Sequence, residues 1–148
     1  MKIKCIGNRH QSLNDYEYKS LDRGEFGRFG ISSEGEYSIT VGKEYLVMGM
    51  IQFDSYLSYL IDDSGLILTV PCYLFAIIDP KICTNCSFRL IDKQEEIYPF
   101  VQAIWGYADL CFNKQAYVDL IVEMTENAQR IYFRRKIELY ERCEISLF

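Results

Sequence analysis

The chain has 148 residues, 49 % of them hydrophobic and 25 % charged, with 16 Lys/Arg against 21 Asp/Glu for a formal charge of −5. These totals fit one globular domain over 1–148, and no long polar tract suggests disorder. A chain of this length buries roughly two thirds of the surface its unfolded form exposes, so it needs no metal or disulfide staple.

In chain order, "MKIKCI" alternates Lys2 and Lys4 with Ile3 and Cys5, the period of a half-buried strand. Residues 14–36 carry Gly24, Gly27, Gly30 and Gly35 among charges and read as an irregular loop. "YSITV" from Tyr37 reads as a strand, and "EYLVMGMIQF" as a long strand apolar on both faces, which must be covered on both sides. Gly49 in its middle marks a bend or a close backbone approach. "YLSYLID", a turn at "DSG", "LILTV", a short turn at "PCYL" and "FAIID" follow, with Gly65 suited to positive φ. "SFRLI" is a further strand run, Asp92–Glu96 a charged loop or helical turn limited by Pro99, and "FVQAIWGY" a closing strand or an irregular apolar segment. From Asn113, a fair N-cap, Tyr117, Leu120, Ile121, Met124, Ala128, Ile131 and Tyr132 recur at helical spacing. Thr125 can start a second helix, in which Arg134, Glu138 and Arg142 fall at i,i+4 spacing. Short strands at about ten-residue spacing predict an α+β domain. Its β core over 37–105 is a small, strongly curved antiparallel sheet or SH3-like barrel. The irregular segment 1–36 precedes it, and the C-terminal helices, 107–145, pack on it.

The charge is uneven. Residues 31–80 carry one Lys and seven acids, −6, whereas 1–30 sum to +2 and 81–148 to −1. An acidic middle repels nucleic-acid phosphates and favours a basic protein partner. The start "MKIKCIGNRHQSL" has no apolar core of signal-peptide length, and no apolar run reaches the roughly 20 residues of a membrane span. A cytoplasmic protein with six reduced cysteines is expected.

"KICTNCSFRL" places Cys83 and Cys86 at C-x-x-C spacing. A structural zinc site needs four ligands, so Cys72 and Cys111 would have to converge on this pair. A redox pair wants a helix N-terminus, whereas this one lies between two strand-like runs. Two reduced thiols beside a strand are therefore expected, with a small thiol-redox or zinc-binding protein as the alternative. Asp62 and Asp63 are adjacent carboxylates, but neighbouring strand residues face opposite sides, so they do not form one site. His10 has no local acid partner, and no G-x-S-x-G, H-E-x-x-H or Walker loop occurs. "FRRK" at 133–136 is a short basic run flanked by glutamates. No cofactor and no catalytic residue is assigned. Tyrosine beside acid in "FDSYLSYLIDD" is an interface composition, which nominates Asp54, Tyr56, Tyr59, Asp62 and Asp63 as partner-facing.

"MKIKCIGN", "ITVGKEYLVMGM", "YLIDDSG", "VPCYLFAIID" and "YVDLIVEMTENAQRIYFRRK", in that order, cover nearly the whole chain. In wording and order they resemble a family of small bacterial immunity proteins of polymorphic toxin and contact-dependent growth inhibition loci. The chain departs from that pattern at "TVPCY", where the family has an aromatic-rich phrase. It departs again at "ICTNCSF", where the family reads serine then tryptophan. The resemblance implies a stoichiometric inhibitor that binds a cognate toxin C-terminal domain, a nuclease by the charge argument. It transfers no catalytic residues and leaves oligomeric state open.

Overall fold

The computed structural model describes residues 1–82, 85–95, 97 and 100–145. Two expectations fall outside them: the Cys83 half of the C-x-x-C pair, and the Glu96 and Pro99 bounds of the charged loop. Among the described residues the strands are β1 Lys2–Cys5, β2 Glu44–Leu46, β3 Gly49–Gln52, β4 Leu57–Asp63, β5 Leu66–Pro71, β6 Phe75–Asp79, β7 Ser87–Leu90 and β8 Ala103–Gly106. The α-helices are α1 Ala108–Phe112 and α2 Glu126–Ile145, with one wide π-type turn at Val118–Val122 and tight 3-10 turns at His10–Tyr16 and Cys72–Leu74. Among the described residues no helix is long and apolar enough to cross a membrane.

The fold is α+β with two antiparallel sheets: three strands in the order β2-β1-β6, and five in the order β5-β4-β3-β8-β7. Neither closes into a barrel, which corrects that expectation. The physical reason lies in "EYLVMGMIQF". Its two apolar faces do not belong to one long strand, because the chain leaves the small sheet after Leu46 and enters the large one at Gly49. The Val47 amide donates to the Met1 carbonyl at 3.1 Å and the Met48 amide to the Leu60 carbonyl at 2.9 Å, so the corner hands the backbone from one layer to the other. "YSITV" is likewise not a strand. Ile39 is buried, but Tyr37 and Thr40 bond to the Asn8 carbonyl and the Tyr45 hydroxyl instead of a ladder.

Strand alternation sorts the large sheet's side chains onto two cores. Ile51, Leu60, Ile67 and Ile104 meet Tyr107, Leu110, Tyr117, Leu120 and Tyr132 on the helical side. Tyr59, Ile61 and Val70 meet Ile3, Cys5, Tyr45 and Phe75 of the small sheet, with Leu13 and Phe29 of the N-terminal segment. The result is three layers, helices over the large sheet over the small one. Segment 1–36 is a structural part of the third layer. The hairpin turn at "DSG" puts Ser64 and Gly65 both at positive φ, 49° and 94°, the type I′ geometry whose twist matches the flanking strands.

The helical face read from Tyr117 to Tyr132 is interrupted at Met124, which has φ 53°. Thr125 then caps α2, its Oγ1 accepting the Ala128 amide at 3.2 Å. Asn113 Oδ1 accepts the Gln115 amide at 3.0 Å in the turn before the π segment. The expected Arg134–Glu138–Arg142 ladder is replaced. Glu138 accepts from Arg135 at 3.0 Å, and Arg135 also donates to Asp109 at 2.8 Å, tying α2 to α1. With Lys136 bound to Asp62, two members of the basic run are committed internally.

Candidate functional site

Of the five residues expected to face a partner, Tyr59 is only 6 % exposed and packs in the core with its ring tilted against Phe75. Asp62 and Asp63 do face opposite sides, and both are tied down. Asp62, 7 % exposed at its side chain, accepts from Lys136 Nζ at 2.6 Å and from the Tyr132 hydroxyl at 3.1 Å. Asp63 accepts from Lys43 Nζ at 2.7 Å, the Tyr45 hydroxyl at 2.5 Å and Thr40 Oγ1 at 3.0 Å. The acidic middle therefore presents less free charge than its −6 suggests. Asp54 is exposed and accepts from Gln102 Nε2 at 2.9 Å. Tyr56 is half-buried, with its ring against Phe29 and Phe53.

The Lys43, Tyr45 and Thr40 donors hold the Asp63 carboxyl well below the usual carboxylate range. A depressed folded value means the charged form stabilises the fold. That contribution is complete above the unfolded value of about 4 and is lost as pH falls toward the folded value. Asp63→Asn is expected to destabilise the protein at neutral pH and to flatten the acid side of its stability profile. Urea midpoints measured at descending pH check this, and parallel curves for parent and variant would assign the acid sensitivity elsewhere.

The two further cysteines that a zinc site would need lie apart. Cys111 packs in the helical core and Cys72 against the other core, so the two do not converge. Burial pushes the Cys111 thiol up to about 11 and also raises Cys5 and Cys72. Cys86 lies on the exposed approach to β7, and its surroundings raise rather than lower its thiol. A reactive thiol needs the opposite shift. Among the described residues no group of three His, Cys, Asp or Glu side chains is placed to hold a metal.

His10 does have an acid partner, seven residues along. The tight turn His10–Tyr16 folds the chain back so that His10 Nε2 lies 3.4 Å from Glu17 Oε2, with both side chains at most 2 % exposed. Glu17 also accepts the Arg28 amide at 3.0 Å. Gly27 passes so close that a Cβ there would sit 1.6 Å from the Glu17 carboxylate. This buried knot is out of reach of substrate. Its effect is to fix residues 27–28 against 10–17.

On top of the knot lies a surface that composition alone did not locate. Tyr16 stacks on Tyr73 with centroids 4.1 Å apart and planes 15° apart. Phe29 meets Tyr73 edge-on at 5.9 Å and Tyr56 at 5.0 Å. The Arg28 guanidinium lies 4.6 Å from the Tyr18 ring, 4.8 Å from Phe29 and 5.8 Å from Tyr73, and it donates to the Ser55 carbonyl at 2.9 Å. Its Nε has no hydrogen-bond partner, and no carboxylate among the described residues pairs with it. Tyr18 is 76 % exposed, and Tyr16 and Phe26 are also open to solvent. Ser55 joins this cluster to Asp54, so the exposed acid nominated from sequence lies at its rim. In sequence Tyr73 lies 45 residues from Arg28 and 57 from Tyr16, which is why no local pattern announced the cluster.

Comparison of the chain with protein-family models, with curated proteins and with solved structures gives no match in any of the three.

Proposed function

We propose that the chain is an immunity protein. It binds a cognate toxin domain one-to-one and covers that domain's active site or another essential surface, with Tyr16, Tyr18, Arg28, Tyr73 and Asp54 at the contact. The observation that carries the binding role is the preorganised aromatic–arginine face. Tyrosine and arginine dominate binding hot spots. Rings already stacked on one another lose little rotamer freedom on association. A guanidinium without an intramolecular carboxylate gains one or more charge-assisted hydrogen bonds from a partner. The toxin as partner rests on the sequence resemblance.

Co-expression with the toxin domain encoded upstream tests the reading. Growth rescue and co-elution are expected, and failure of both sinks it. Within a complex, Tyr18→Ala and Tyr16→Ala are expected to weaken affinity at least about tenfold each while leaving thermal stability near the parent's, as exposed hot-spot truncations do. Titration calorimetry on the purified pair reads the effect, and unchanged affinity in both would move the contact to another face.

A further inference from the structure

The five-stranded sheet ends in two unlike edges. Along β5 the Val118–Val122 turn packs against the strand, and Pro71 closes its end. The outer side of β7 carries no pairing among the described residues. The Ile91 amide donates to the Gln102 carbonyl at 2.9 Å, and Arg89 lies opposite Ile104. By the alternation of antiparallel ladders, residues 89 and 91 use their backbone groups inward, toward β8. Phe88 and Leu90 therefore direct their N–H and C=O outward. Their side chains are 51 % and 72 % exposed, on the sheet face opposite the helices. There Phe88 adjoins Trp105, Met50 and Leu57 around an open concavity of about 300 Å³. Edge strands are blunted against pairing by prolines, bulges, charges or short length; β7 is short and turns its one charge, Arg89, to the helical side, but it has no proline or bulge.

We propose that β7 is self-complementary and that two copies of the chain pair through it, antiparallel about a two-fold axis at Arg89. The register follows from the backbone. With the axis at Arg89, Phe88 of one copy stands opposite Leu90 of the other, and both have outward donors and acceptors, so four hydrogen bonds form symmetrically. The same register sets the two exposed side chains against each other as apolar cross-strand pairs. The two arginines meet on the helical side, but each guanidinium is already held by Glu95 and by the Cys111 carbonyl, so the axis carries two neutralised pairs. A second copy fits better than an arbitrary strand because it supplies both the backbone phase and an apolar residue at each position. Four-residue strands bury well under the roughly 800 Å² per partner of a standard interface. The dimer is accordingly weak and fills with concentration. Self-pairing does not depend on toxin binding.

Sedimentation velocity of the full chain from low micromolar to several hundred micromolar tests this. The mass is expected to rise toward twice that of the chain. Leu90→Lys, and separately Leu90→Pro, which removes an outward amide together with the leucine side chain, are expected to hold it at one chain. Hydrogen exchange is expected to slow about tenfold at the Phe88 and Leu90 amides as the dimer fills, with the Arg89 amide unchanged. A chain that stays monomeric throughout overturns the proposal. So does a dimer that survives both substitutions, and so does protection at Arg89 in place of its neighbours.

Discussion

Tyr132→Ala is expected to lower the free energy of unfolding by about 3–5 kcal/mol, the range for removing a large buried aromatic side chain. Tyr132 is fully buried, with Tyr107 edge-on at 6.4 Å and Phe133 at 5.1 Å. Its hydroxyl donates to Asp62, so the truncation opens a cavity and also leaves that carboxylate with Lys136 and the Gly65 amide as its remaining donors. Tyr132→Phe separates the two contributions. It keeps the ring and removes one hydrogen bond to a charged acceptor, for a loss of about 1.5–3 kcal/mol. Urea unfolding followed by circular dichroism measures both. A Tyr132→Ala loss below that of Tyr132→Phe would mean the ring contributes nothing to holding α2 on the sheet.

Gly49→Val is expected to destabilise by about 1–3 kcal/mol, as overpacking of a tight interior does. A Cβ at Gly49 would stand 2.8 Å from the Trp105 carbonyl oxygen, a backbone atom with no freedom to swing away, and 3.2 Å from Leu110 Cδ2. Opposite it on β8, Gly106 would put a Cβ 3.1 Å from the Met48 carbonyl. The two glycines face each other in register and let α1 sit directly over the β3–β8 pair. Thermal unfolding reads the loss. Gly24, where a Cβ would meet nothing within 4 Å but φ is +78°, is the contrasting position, strained by conformation and not by contact. A Gly49→Val loss no larger than that of Gly24→Val would argue against close approach as the determinant at Gly49.

Much of the strand content was legible because strand signals are local. "YLSYLIDDSGLILTV" carries its own alternation and its own turn, and β4 and β5 form as read. The close approach at Gly49 was legible for the same reason. Layer membership was not, since an apolar run that crosses from one sheet to another looks identical to a strand covered on both faces. The Val47–Met48 corner is that case. "YSITV" misled because burial of Ile39 satisfies the apolar pattern without a ladder. The candidate site was the least legible part. Asp62 and Asp63 attract notice as a pair of acids, but their partners Lys136 and Lys43 lie 74 and 20 residues away. Tyr16, Arg28 and Tyr73 meet because the first 30 residues fold onto the end of β5, with Leu13 and Phe29 in the core and a buried histidine–glutamate contact beside them.

The strand order has a consequence for how the chain is made. β3 pairs with β4 on one side and with β8 on the other, and about 50 residues separate β3 from β8. At ribosomal rates of roughly 5–20 residues per second, the β3–β4–β5 meander waits several seconds for its missing neighbour. During that interval the nascent chain offers Gly49–Gln52 as an open edge, which the finished fold closes with β8. Codon choice between positions 53 and 102 therefore sets how long the newborn protein stays vulnerable to pairing with the wrong strand.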